Sequence, residues 1–322
     1  MSGPEPGPDS VVPTAAAGLH SAVAAAGAGA AGLHSAVAAA AAGRFQVMGI
    51  VNVTPDSFSD GGLYLDHAAA VAHGLALEDE GATILDIGGE STRPGAQPVP
   101  AAEEMRRVIG VIAGLRERGC RAQLSIDTSK AQVAQAALAA GATLVNDVTA
   151  LRGDPEMAAV VAASGADLCL MHMRGTPRTM QHDPRYDDVV RDVAAFLRER
   201  LDAAVAAGIA EERIALDPGI GFGKTGAHNL ELLRRTGELT ALGRPLVIGT
   251  SRKSFLGRIT DRPVKDRIAA TIATNLVAYE RGARIFRVHD VAPIHDALQV
   301  AAATLTPAWR TTTPTTTTMP TT

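Results

Sequence analysis

Eight apolar runs in this chain each give way to side chains that can do chemistry. The first ends at Asn52. The second passes Asp86 and enters Gly88-Gly89-Glu90-Ser91-Thr92-Arg93-Pro94-Gly95. The third ends at Asp127-Thr128, the fourth at Asn146-Asp147 and the fifth at Met171-His172-Met173-Arg174. The sixth leads into Asp217-Pro218-Gly219-Ile220-Gly221-Phe222-Gly223-Lys224 and the seventh into Ser251-Arg252-Lys253-Ser254-Phe255. The eighth carries Arg287-Val288-His289-Asp290. Carboxylates accept from ring N–H and amino donors. Arg and His, with backbone N–H groups at helix starts, bind phosphate oxygens. Such a mixed set suits a ligand with a polar heterocyclic edge and a separate anionic group.

Singly, each residue has a plainer account. An Asp after a strand is most often a cap or turn former, which is the reading given to Asp147 and Asp290. A lone Arg252 reads as solvated. Gly223-Lys224-Thr225 imitates the end of a phosphate-binding P-loop, but the motif's first glycine would fall on Pro218, so that reading fails. The weight lies in the number of polar run ends, provided one scaffold brings them to one rim.

The scaffold is legible in the spacing. Strand-like runs fall at 45–52, 83–87, 122–126, 143–148, 167–171, 213–216, 246–249 and 284–288. Helical patterns follow at about 66–80, 102–118, 130–140, 155–164, 187–207, 228–240, 265–281 and 291–304. Starts are expected at Asp66, Ser129 and Asp290, and Gly81, Gly119, Gly141, Gly165 and Gly282 are expected to lead helices into strands. Strands apolar on both faces, alternating with helices, require a parallel sheet wrapped by helices. Eight such units predict a (β/α)8 TIM barrel over 44–305, with its site at the C-terminal ends of the strands. A doubly wound open sheet is the alternative, and it lacks an early Gly-rich phosphate loop. The loops at 53–65 and 88–100 exceed the usual ~2–6 residues of a βα connection, which suggests lids.

Composition bounds the rest. The 322 residues are 46% hydrophobic but only 3% aromatic, so the core should be aliphatic. A net charge of −4 gives no reason to expect nucleic acid. Cys120 and Cys169 read as buried free thiols in a reducing compartment. No run reaches the ~18 residues of a membrane span and no secretory signal is seen, so a cytoplasmic enzyme is expected. Residues 1–43 read as a low-complexity tail in which Ala17–Ala26 recurs at Ala31–Ala40. Its few large apolar residues are not expected to hold a helix against a core. His20 and His34 as a paired metal site is the weaker reading. Residues 306–322, nearly all Thr and Pro, read as a disordered tail.

Over about 45–305 these motifs resemble those of dihydropteroate synthases: Asn52 to Gly62, Asp86 to Gly95, Asp217 to Lys224, Ser251 to Phe255 and Arg287 to Val291. The resemblance implies a Mg²⁺-dependent transferase of folate biosynthesis, commonly a homodimer and a sulfonamide target. It would condense 6-hydroxymethyl-7,8-dihydropterin diphosphate with 4-aminobenzoate, giving 7,8-dihydropteroate and diphosphate. It implies that Asp127, Asn146, Asp217 and Lys253 hold the pterin, with Thr92 also at the pterin diphosphate. Arg287 and His289 would grip the diphosphate and Asn52 the Mg²⁺. Phe58, Thr92, Arg93, Pro94, Phe222 and Ser254 would form the aminobenzoate pocket, with Thr54 to Gly62 a lid. Asp127, Lys253, Arg287 and His289 are the expected catalytic residues. Two other readings remain open: a methyltetrahydrofolate-dependent methyltransferase, which would have no diphosphate to hold, and a non-catalytic pterin-binding paralogue.

Overall fold

The computed structural model describes residues 35–54, 62–93 and 95–305. Eight parallel strands form the core: β1 (Gln46–Asn52), β2 (Ile84–Gly88), β3 (Gln123–Asp127), β4 (Leu144–Asp147), β5 (Asp167–Met171), β6 (Ile214–Asp217), β7 (Val247–Ile248) and β8 (Ile285–Val288). Their order is β6-β5-β4-β3-β2-β1-β8-β7. An isolated parallel bridge from Leu216 to Leu246 joins the two ends, so the sheet closes. Around it lie α2 (Gly62–Asp79), α3 (Ala101–Glu117), α4 (Ala131–Ala139), α5 (Met157–Ser164), α6 (Val189–Ala206), α7 (Gly226–Arg234), α8 (Thr236–Thr240), α9 (Ser254–Thr260), α10 (Ile268–Glu280) and α11 (Val291–Leu305). The expected TIM barrel is the observed fold. Among the described residues no helix is long and apolar enough to cross a membrane, and both cysteines are free and buried.

Alternation along the strands sorts two cores. Residues such as Val47, Leu85, Leu124, Val145, Leu168, Leu216 and Phe286 point outward and pack under the helices. Met48, Ile84, Leu144, Cys169, Ala215, Val247 and Ile285 point inward and form an apolar plug. Two positions further along the same strands stand Ile50, Asp86, Asn146, Met171, Asp217, Gly249 and Arg287. One pleat therefore separates a dry floor from a polar mouth.

Several local expectations need correction. Residues 35–41 do not behave as a tail. Helix α1 (Ala36–Ala41) closes the barrel bottom, burying Ala36, Val37, Ala39 and Ala40. Small side chains are what this narrow opening admits, so the lack of large apolar residues is no obstacle. Ser35 caps α1, accepting from Ala38 N at 3.0 Å, and its hydroxyl donates to Asp167 at 2.5 Å. The Ala36 amide donates to Gln123 at 2.8 Å. His20, His34 and 306–322 lie outside the described residues. Helix α2 starts at Gly62, so Asp66 lies inside it rather than capping it. Helix α4 is capped not by Ser129 but by Asp154, whose carboxylate accepts from Ala131 N at 2.9 Å. The short helix α9 is not anticipated by the apolar spacing. The expected glycines do turn helices into strands. At Gly81, with φ 105°, a Cβ would also meet the His295 ring at 2.8 Å, so only glycine fits.

Candidate active site

Asp86, in the middle of β2, is fully buried. Its Oδ1 accepts from Ser125 Oγ at 2.6 Å, and its Oδ2 accepts from Asn146 Nδ2 at 3.0 Å and Arg287 Nε at 2.6 Å. Arg287 Nη2 donates onward to Asp127 Oδ2 at 2.8 Å. Strands β2, β3, β4 and β8 thus contribute to one buried network. Burial works against the Arg287 charge, but Asp86 and Asp127 outweigh it and hold the guanidinium above its ordinary range. Burial raises Asp127 to about 7; Arg287 opposes this, while Asp86, Glu104 and Asp147 add to it. Asp127 Oδ1 is buried with no hydrogen-bond partner among the described residues. A buried acceptor of that kind can take a donor from a bound ligand.

Across the mouth, β6 ends at Asp217, whose Oδ1 accepts from Gly219 N at 2.6 Å. Burial raises its pKa, opposed chiefly by Lys253. Gly219, with φ 65°, lets the chain turn back beneath the mouth; a Cβ there would stand 1.9 Å from the His172 carbonyl oxygen. The turn brings Phe222 under Lys253, whose Nζ lies 4.6 Å from the ring centroid and donates to the Ile220 carbonyl. Burial brings Lys253 down to about 8, Asp217 resisting and Arg287 reinforcing the shift. Phe222 also packs on Val148, Met171, Met173 and Met180, a soft apolar wall suited to an aromatic ligand. Beneath it, Lys224 Nζ is 2.8 Å from His172 Nδ1 and donates to the Phe222 carbonyl at 2.9 Å. Burial depresses this lysine strongly, and burial with the neighbouring Lys224 takes His172 to about 2. That buried pair braces the loop.

The third side is built by the loops after β7 and β8. Ser251 Oγ accepts from the His289 amide at 3.1 Å and lies 3.0 Å from His289 Nδ1. The hydroxyl and Nδ1 hold one another, and the ring's tautomer sets which of them donates. Burial, then Arg252 and Arg287, take His289 to about 3, so it is neutral at ordinary pH. Arg93, exposed in the loop after β2, also acts on His289 through its charge.

The structure gathers Asp127, Asn146 and Arg287 through Asp86, and gathers Asp217, Lys253 and Phe222 around one loop. Asn52 ends β1 opposite Gly88, half-buried. Thr92 is half-buried in the loop after β2, and Ser254 is exposed at the first turn of α9. Phe58, Pro94 and residues 55–61 of the expected lid lie outside the described residues. Asp147 forms a turn as expected, accepting from Thr149 N at 2.8 Å and Leu151 N at 2.7 Å. Asp290 directly precedes α11, as expected of a helix start, and its carboxylate also binds Arg252 at 2.5 and 3.0 Å, so Arg252 is not merely solvated. Arg287, expected to grip the diphosphate, has Nε and Nη2 held by Asp86 and Asp127. Sequence reasoning gave Asp86 and Ser125 no role, although a carboxylate flanked by Leu85 and Ile87 was a signal.

The Pterin binding enzyme family matches residues 48–289. Over 260 residues the chain is 45% identical to the dihydropteroate synthase of Haemophilus influenzae, covering 80% of this chain and 94% of that protein. It is similar to the structure of Xanthomonas albilineans dihydropteroate synthase with 4-aminobenzoic acid, at 51% identity and TM-score 0.77, covering 82% of this chain and 94% of that one. The same synthase in complex with 7,8-dihydropteroate superposes at TM-score 0.74 with 48% identity, covering 82% and 95%.

Proposed function

This chain belongs to the dihydropteroate synthases among the pterin-binding enzymes, and we propose that its barrel mouth performs their condensation with the residues described above. The product is 7,8-dihydropteroate, formed from 6-hydroxymethyl-7,8-dihydropterin diphosphate and 4-aminobenzoate with release of diphosphate. The observation that carries the site assignment is the unpartnered, buried Asp127 Oδ1, facing the same mouth as Asp217 and Lys253. A slot with acceptors on one side and an ammonium over an aromatic ring on the other matches a pterin edge. Asp217 would accept from the 2-amino group and N3–H. Lys253 would donate toward O4 and N5, and Asn146 and Asp127 would take the remaining donors.

The step needs no protein nucleophile. The bond between the pterin methylene carbon and the diphosphate oxygen breaks, and the electron pair leaves with the diphosphate. Positive charge spreads into the pterin, where the Asp127 carboxylate would stabilise it. The neutral imidazole of His289 and the Arg287 guanidinium would donate to the leaving oxygens. The arylamine of 4-aminobenzoate attacks the carbon, and its surplus proton passes to water or the departing diphosphate. Phe222, Ser254, Thr92 and Arg93, with Phe58 and Pro94, would hold the second substrate in line for that attack.

Mg²⁺ fits the donors present in one way. Among the described residues no group of three or more His, Cys, Asp or Glu could hold a metal. A hard cation is therefore expected to take most of its oxygens from diphosphate and water, with Asn52 Oδ1 as the protein ligand. Bound there, it would neutralise charge on the leaving group. We also propose a homodimer, supported by exposed Ile268 and Val277 on α10 and Val300 on α11, and competition by sulfonamides for the aminobenzoate pocket. The deciding assay is diphosphate release that depends on 4-aminobenzoate. Pterin binding without such turnover would indicate a silent paralogue instead.

A further inference from the structure

We propose that Asp86 is a positioning residue for pterin recognition, fixing the Asn146 amide with its oxygen toward the mouth and aiming the Arg287 guanidinium. The proposal rests on the reading of Asn146 and Arg287 as ligand-holding residues. Asp86 is fully buried, so it acts through other side chains rather than on substrate. Its Oδ2 binds Asn146 Nδ2 at 3.0 Å and Arg287 Nε at 2.6 Å, and its Oδ1 is held by Ser125 at 2.6 Å. A carboxylate paired with arginine can only accept hydrogen bonds. Asn146 must therefore turn its NH₂ inward, which leaves its carbonyl oxygen as the group offered to a ligand. That choice makes the position an acceptor and selects a donor-bearing heterocycle. The same carboxylate holds Nε of Arg287, so Nη2 meets Asp127 at 2.8 Å.

Asp86→Asn keeps size and shape but carries both a donor and an acceptor, so the Asn146 amide is free to turn over. The KM for pterin diphosphate should rise about tenfold or more, the range seen for residues that orient ligand-holding groups. The KM for 4-aminobenzoate should stay within about twofold, because Phe222 and Ser254 are not tied to Asp86. Asp127 is faced by Arg287 from β8, Asp86 from β2, Glu104 from α3 and Asp147 from β4. Removing the Asp86 charge should therefore move the acid limb of kcat/KM to lower pH. A purely structural role would lower the active fraction while leaving both KM values and the limb in place.

Ser125→Ala, which removes only the hydroxyl on Oδ1, should shift the pterin KM the same way by about threefold. Folded Asp86→Asn with the parent pterin KM and pH limb overturns the proposal, as does an equal rise in both KM values. Where Asp86→Asn does not fold, Ser125→Ala decides, and an unchanged pterin KM rejects the idea. Asn146→Ala separates the two readings. If it too leaves the pterin KM unchanged, the site assignment is at fault; if it alone raises that KM, only the positioning is.

Discussion

Lys253 and Asp127 are held near neutrality by burial, at about 8 and about 7, and both are needed charged in the proposed chemistry. In the free enzyme kcat/KM for pterin diphosphate should therefore show a bell with limbs near those values. Lys253→Met should abolish the alkaline limb and raise the pterin KM more than tenfold, by about the 1.4 kcal/mol or more of a charge-assisted hydrogen bond. The linkage sign can be read separately in stability. The folded value of Lys253 lies below its ordinary 10.5. Its stabilising contribution is thus present above 10.5 and lost as pH falls through about 8. Ligand-free enzyme should gain Tm from this source between those pH values, and Lys253→Met should not. For Asp127, Asn in its place should cost about 10²-fold in kcat, the loss expected from one preorganised electrostatic group, and a kcat within threefold of the parent would exclude its proposed role. Arg287→Ala is a poorer probe than its position suggests. It strands Asp86 and Asp127 without their partner, at a cost of about 3–5 kcal/mol, so stability loss would accompany any loss of diphosphate affinity.

Among the elements, α1 separates what closes the barrel from what works in it. It sits at the end opposite the mouth and joins Met48, Ile84, Leu144 and Val247 in the inner floor. Removing residues 1–34 should leave Tm and kinetics unchanged. Removing 1–43 should strip four buried side chains and the Ser35–Asp167 and Ala36–Gln123 bonds from the floor. A loss of about 2–4 kcal/mol follows from that burial, near 4–16 °C in Tm for a domain of this size. KM values should not move at temperatures where the truncated protein is folded. Scanning calorimetry on the two truncations distinguishes this from a dispensable α1, for which their Tm values would coincide. The loop after β6 makes the contrasting case: Gly219 passes so near His172 that its geometry leaves no room for a side chain, and the position of Phe222 depends on that turn.

For the whole molecule, closure of the barrel is what turns eight separate strand ends into one mouth. Because the described residues offer no metal cluster of their own, metal binding should be coupled to diphosphate. Chelation should stop turnover, and titration calorimetry should detect Mg²⁺ only when diphosphate or pterin diphosphate is present. Tight Mg²⁺ binding to the free protein, surviving Asn52→Ala, would refute that arrangement.

Most of the architecture was legible in the sequence because alternating runs and helix-period patterns are local signals, and each strand was found within about one or two residues of its observed ends. The polar residues at those ends were legible for the same reason. Three things had to wait for tertiary structure. The floor role of α1 depends on the width of an opening, and no local pattern encodes a width. Helix α9 is too short for periodicity to register. The Asp86 network joins residues 39, 60 and 201 positions apart in the chain, across strands whose register is set only when the barrel closes. The types of side chain at the mouth are written in the chain, but which of them touch, and hence which are left free for a ligand, is decided by packing.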